Sequence, residues 1–89
     1  MFEWDGAKDA ANVTRHGVCF VLARRIFEGR VLTAVDARAD YGELREISIG
    51  AIDGVVVLVV VHTYRQGVVR IISARPASRR ERRRYEETL

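Results

Sequence analysis

Along this chain the apolar residues keep helical spacing up to about residue 28 and strand spacing after it. Phe2 to Trp4 reads as a short edge strand. Asp5 predicts an N-cap for a helix through about His16, and Gly17 a stop. On that helix Trp4, Lys8, Asn12 and His16 lie four apart along one face. Ala7, Ala10, Ala11 and Thr14 form the opposite, small-residue face, expected to pack. Phe20 to Phe27 predicts a second short helix with Phe20, Ala23, Ile26 and Phe27 as its apolar stripe, ended by Gly29.

The remainder reads mostly as sheet. Val31 to Asp36 is a strand and Ala37 to Gly42 a polar loop. Leu44 to Ile52 alternates, with Ile47, Ile49 and Ala51 on one side and Glu46 and Ser48 on the other. Asp53-Gly54 signals a two-residue hairpin. Val55 to Val61 is β-branched nearly throughout, which suits a central strand buried on both faces. Arg65-Gln66-Gly67 reads as a three-residue loop, and Val68 to Ala74 as the last strand. Ser78 and Glu81 form a Ser-x-x-Glu capping box that opens a final helix. Ala77, Tyr85 and Leu89 then face the body and the arginines face outward. With no internal repeat and no low-complexity linker, residues 1–89 are expected to form one domain. Its class is α+β: two N-terminal helices, a mainly antiparallel sheet of about four strands, and a C-terminal helix.

The two turns set a register if neither strand bulges. A two-residue Asp53-Gly54 loop pairs Ile52 with Val55, and hence Arg45 with His62. A three-residue loop pairs Tyr64 with Val68, and hence His62 with Arg70. Arg45, His62 and Arg70 then make one row on one face, near the turn that carries Arg65. Two guanidinium groups disfavour a charged imidazole, so His62 is expected to be neutral at pH 7, its pKa lowered. Such a histidine can accept a proton while the cations hold an anion. The plainer alternative is that His62 caps a strand end and the arginines are solvated rim charges.

Charge sharpens this picture. The net charge is +3, and residues 45–89 hold nine of the fifteen basic residues. Six arginines, Arg75, Arg79, Arg80 and Arg82 to Arg84, fall in the last fifteen residues, near the start of the final helix. Cations there oppose the macrodipole, so a phosphate-bearing partner is the simplest reason for them. Lys8 is a further candidate phosphate contact. His16 reads as a helix C-terminal partner, Tyr85 as core or a stacking or acid group, and Glu43 and Glu46 as surface carboxylates or bases. With one cysteine, Cys19, no internal disulfide is available, and His16 and His62 lack metal-ligand spacing, so neither metal nor cofactor is expected. The longest apolar run, Val55 to Val61, is too short to span a bilayer as a helix, and no signal peptide is legible; a cytoplasmic protein is expected.

A set of motifs runs in order along the chain: Phe-Glu-Trp-Asp at 2–5, Lys8, Asn12, Arg15-His16-Gly17-Val18 and Phe20, then Gly42-Glu43 with Arg45, and Ile49-Gly50. Val60 to Thr63 with Arg65, Arg70-Ile71-Ile72-Ser73-Ala74-Arg75, and Ala77 to Tyr85 with Glu81-Arg82 complete it. In this order the motifs resemble the BrnT family of toxins. Gly54 departs from the pattern in being followed by Val55 where the family often has Arg, and Val21-Leu22 replaces a commonly acidic pair. The resemblance implies a RelE-like ribonuclease toxin of a type II toxin–antitoxin system, with metal-independent cleavage of RNA. It also implies a BrnA-type antitoxin that binds DNA, the complex repressing its own operon. In this reading His62 serves as base or acid with Arg45, Arg65 and Arg70 at the phosphate, and Lys8, Arg75, Arg79, Arg80 and Arg83 contact RNA. A non-catalytic nucleic-acid-binding module, or a protein-interaction module using the arginine helix, is the alternative. Homo-oligomers and toxin–antitoxin hetero-oligomers both remain open.

Overall fold

The computed structural model describes residues 1–88, so the expected contact of Leu89 with the body lies outside the described residues. The element order is β1 (Phe2–Trp4), α1 (Gly6–His16), α2 (Phe20–Ala23), a 3₁₀ turn (Arg24–Glu28), β2 (Val31–Val35), β3 (Glu46–Ile52), β4 (Val56–Arg65), β5 (Val68–Pro76) and α3 (Arg79–Glu87). The sheet has five strands in the order β1-β5-β4-β3-β2, one more than expected. It is mixed, because β1 runs parallel to β5.

Local signals placed the helices. The Asp5 carboxylate accepts from the N–H groups of Ala7 (2.8 Å) and Lys8 (3.3 Å), and Gly17 closes α1 at φ 72°, a conformation that favours glycine. The second helix is shorter than predicted: it turns 3₁₀ at Arg24. The expected packing face of α1 is also wrong, since Ala7, Ala10, Ala11 and Thr14 are all exposed. Instead α1 docks through buried Asn12. Its amide donates to the carbonyls of Val18 and Ala74 (both 2.8 Å) and accepts from the N–H of Ala74 (3.1 Å). β1 pairs with β5 only over Val69 to Ile71. Further along, the Asn12 side chain takes the place of a neighbouring strand, satisfying backbone groups that would otherwise be orphaned.

One face of the sheet is the core. Phe20, Ala23 and Ile26 pack on Leu58, Val60, Ile71 and Ala74. Gly50 lets the 3₁₀ turn sit this close: a Cβ there would stand 2.8 Å from the Ile26 Cβ. β4 is the central strand, and Val57 to Val60 are buried on both faces, as its composition implied. The opposite face carries Ile47, Ile49, Val59 and Val61 and is covered only partly, by α3 at one side. Tyr85 fixes α3 there: its hydroxyl donates to the Arg30 carbonyl (2.8 Å), and the Arg30 guanidinium lies 4.1 Å from its ring centre. Tyr85 is thus a packing residue.

The register departs from the expected one at both turns. Asp53 and Gly54 have positive φ (54° and 69°), but Ile52 pairs with Val56, so Val55 is an extra residue. The second loop has two residues, Gln66 and Gly67 (φ 53° and 81°), and Arg65 pairs with Val68. His62 therefore faces Glu46 and Ile71, not Arg45 and Arg70. Between His62–Ile71 and Val61–Ser73 the ladder shifts again, leaving Ile72 as a bulge. Side chains alternate along a strand, so a slip of one residue moves them to the other face. The row of Arg45, His62 and Arg70 does not form.

Candidate functional site

His62 lies inside the core, 4% exposed. Its Nε2 is 2.7 Å from the Ser48 hydroxyl, which in turn is 2.8 Å from that of Thr33. Its Nδ1 is buried without a hydrogen-bond partner among the described residues, and Phe27 meets the ring edge-on at 5.1 Å. The pKa is lowered, as expected, but for another reason: burial penalises the charged ring, and the opposing influence is the Glu46 carboxylate. A ring enclosed in this way is poorly placed to meet a substrate.

This depressed pKa has a sign. The unfolded chain, with His62 near its ordinary 6.5, binds a proton that the folded chain refuses. Stability should therefore fall as pH drops below 6.5, by at most about 1.4 kcal/mol per pH unit, the limit for one proton. Urea midpoints measured from pH 7 down to pH 5 check this. A His62→Gln protein should lose most of that slope, and an equal slope in both proteins would remove His62 as its source.

By alternation, Arg65 and Arg70 project from the face opposite to His62, and Arg45, which precedes β3, is in phase with Ile47. Glu43 draws two of them together, at 3.3 Å from Arg45 and 3.4 Å from Arg65. Arg45 also stacks on Tyr41, at 4.0 Å. Arg70 pairs with Glu3 at 3.7 Å. None of the three lines the cavities described next.

On the half-covered face a cavity of about 270 Å³ is lined by His16, Arg38, Ser73, Arg75 and Glu81 over a floor of Ile47, Val59 and Val61. Each contributing element arrives for a local reason. His16 is the last residue of α1, carried there by the Asn12 contacts. Ser73 and Arg75 share the face of Val61 and Val59, their partners on β4. Glu81 is fixed by the capping box: its carboxylate accepts from the Ser78 N–H (2.8 Å) while the Ser78 hydroxyl accepts from the Glu81 N–H (3.2 Å).

Both arginines are held by two-point ion pairs. Arg75 grips Glu81 through both terminal nitrogens at 2.7 Å, which lowers the Glu81 pKa to about 2 and raises that of Arg75. Arg38 holds Asp36 through Nε and Nη2 at 2.8 Å, and the Tyr41 hydroxyl donates to the same carboxylate (3.2 Å). The Asp36 side chain is fully buried, and the Arg38 bonds push its pKa far below the usual carboxylate range. Planar forks locked in this way present their remaining N–H donors in fixed directions. A histidine, two oriented guanidinium groups and a hydroxyl in one cavity can bind a phosphate and move a proton.

Of the residues singled out in the sequence, Arg75 lines this cavity and Lys8 lines an adjoining one. Arg79, Arg80 and Arg83 are exposed on α3 and form no ion pair among the described residues. His16, Arg38 and Ser73 were not picked out as site residues. His16 and Ser73 had a signal, since they belong to the motifs Arg15-His16-Gly17 and Ser73-Ala74-Arg75; Arg38, in a polar loop, had none. Among the described residues no three His, Cys, Asp or Glu side chains are grouped to hold a metal, and no helix is long and apolar enough to cross a membrane.

The 1.1 Å crystal structure of the Brucella abortus ribonuclease toxin BrnT matches with a TM-score of 0.65 at 25% sequence identity, over 89% of this chain and 99% of that one. No curated protein matches. A family model described as the ribonuclease toxin BrnT of type II toxin–antitoxin systems matches residues 4–81. That span runs from Trp4 through Glu81 and takes in all the residues of the cavity, and the chain belongs to the BrnT family of ribonuclease toxins.

Proposed function

We propose that this chain is a metal-independent endoribonuclease of RelE-like architecture. It would act on single-stranded or loop RNA, whose bases and backbone are accessible. The observation that supports this best is the meeting of His16, Arg38, Ser73 and Arg75 in one cavity on the open face of the sheet. In the reaction the ribose 2′-oxygen attacks the adjacent phosphorus, and the bond to the 5′-oxygen of the next nucleotide breaks. The products carry a 2′,3′-cyclic phosphate and a 5′-hydroxyl. His16 takes the 2′-hydroxyl proton or supplies one to the leaving oxygen. Arg75 and Arg38 bind the non-bridging oxygens, whose charge grows in the transition state. Glu81 and Asp36 aim these two arginines.

Arg45, Arg65 and Arg70, on the same side of the sheet, would contact RNA beyond the cavity. Arg79, Arg80 and Arg83 would meet RNA backbone or a BrnA-type antitoxin, whose DNA-binding part would let the complex repress its operon. An acidic antitoxin segment over these arginines would inhibit by exclusion and by charge together.

The test is incubation of the purified chain with RNA in EDTA. The expected result is cleavage that survives chelation, leaves cyclic-phosphate ends, and stops when the 2′-hydroxyl is removed. Cleavage that requires an added divalent metal, or cutting of the 2′-deoxy substrate, would overturn the mechanism. Salt-sensitive binding without any cleavage would favour a non-catalytic nucleic-acid module.

A further inference from the structure

A second cavity, of about 250 Å³, adjoins the first and shares His16 and Ser73 with it. Its other walls include Lys8, Asn12 and Arg15, all from α1. The shared residues make the two cavities one groove, running from the sheet onto the helix. The charges along it are divided. Arg38 and Arg75 each already face a carboxylate. Lys8 and Arg15 are exposed and form no ion pair among the described residues.

The acids nearest to them in sequence are engaged elsewhere. Asp5 accepts from the N–H groups that begin α1, and Asp9 accepts from the Phe20 N–H at 2.9 Å. Asn12, between the two cations, is committed to Val18 and Ala74. Lys8 and Arg15 are seven residues apart, so they reach the groove from points about two turns, or roughly 10 Å, apart along the helix. The part of the groove whose cations make no ion pair among the described residues therefore lies beside the chemistry, with Asp5 near enough for Lys8 to help lower its pKa.

We infer that Lys8 and Arg15, with Ser73 at the junction, form a subsite for the phosphate next to the one that is cut. The inference rests on the cleavage site at His16 and Arg75. A strand whose reacting phosphate lies at Arg75 and His16 must carry its next phosphate away from that cavity, and the α1 side offers two cations that make no ion pair among the described residues. Binding energy gathered there, away from the reacting bond, holds the strand in place for the chemistry. The consequence is discrimination by length: the smallest good substrate has two phosphates.

The experiment compares a dinucleoside monophosphate, which has only the scissile phosphate, with the same compound phosphorylated at its 5′ end and at its 3′ end. Affinities of the corresponding 2′-deoxy compounds are measured in parallel, so binding is read even where no cutting occurs. One of the two additions should raise kcat/KM, and the affinity of the deoxy compound, by about tenfold, as expected for a charge-assisted contact. In a Lys8→Ala/Arg15→Ala protein, checked for an unchanged melting curve, that ratio should fall to near one. The subsite is overturned if neither phosphate raises kcat/KM or affinity. It is equally overturned if the ratio persists in the double variant, including the case where the variant loses antitoxin affinity instead, which would assign the patch to the protein partner. If the parent cuts nothing yet the affinity ratio behaves as stated, the subsite stands and the cleavage mechanism fails.

Discussion

Purified His16→Ala protein should cleave RNA about 10²–10⁴-fold more slowly than the parent, the usual effect of losing a placed proton-transfer group. Arg75→Ala should cost about 10²–10³-fold through the lost transition-state donor. Neither side chain belongs to the core, so His16→Ala should melt close to the parent, and Arg75→Ala somewhat lower through the lost ion pair with Glu81. His62→Gln should do the opposite: lower stability, with a rate within severalfold of the parent when assayed well below its own melting temperature. The separation follows from position, because His62 is packed against Phe27 on one face of the sheet and His16 lines the cavity on the other. Single-turnover cleavage by the three variants decides it. His16→Ala cutting as fast as the parent would remove this histidine from the chemistry. Folded His62→Gln as slow as His16→Ala would restore the buried one.

The largest loss of stability is expected at Asn12. Asn12→Ala strands the carbonyls of Val18 and Ala74 and the N–H of Ala74, all of which now bond to one amide. Each buried group left without a partner costs about 1–3 kcal/mol. Allowing for some rewetting, the total should be about 3–5 kcal/mol, a large share of the roughly 5–15 kcal/mol that stabilises a typical domain. Asn12→Asp should be no better, since it keeps the acceptor for Ala74 but turns a carboxylate toward two carbonyls. Urea midpoints measure the effect, and a loss below 1 kcal/mol would mean that α1 is held by something else. Cleavage should fall with stability, because α1 carries His16 and Lys8.

What could be read in the sequence was what neighbouring residues decide. Asp5 and Gly17 bracket α1, and Ser78 with Glu81 opens α3, because a cap is a bond between residues two to four apart. The β-branched run identified the central strand for a similarly local reason. Register was not legible. Arg65-Gln66-Gly67 suits a loop of two residues or of three, and nothing nearby marks Val55 or Ile72 as extra. Those single-residue slips parted His62 from Arg45 and Arg70. The cavity was hidden for a related reason. His16 meets Arg75 because Asn12 reaches Ala74, a contact across 62 positions that no local pattern encodes. The alanines of α1 suggested a packing face, yet small side chains bury little apolar area and gave way to one amide.

Glu81 belongs both to the capping box of α3 and to the grip on Arg75. Fraying of the first turn of that helix therefore releases the arginine at the same moment. The cavity should therefore loosen with the first turn of a short surface helix, before the five-stranded sheet melts. On heating, cleavage should fade while the core is still intact, and antitoxin or RNA bound across this turn would raise the temperature at which that happens.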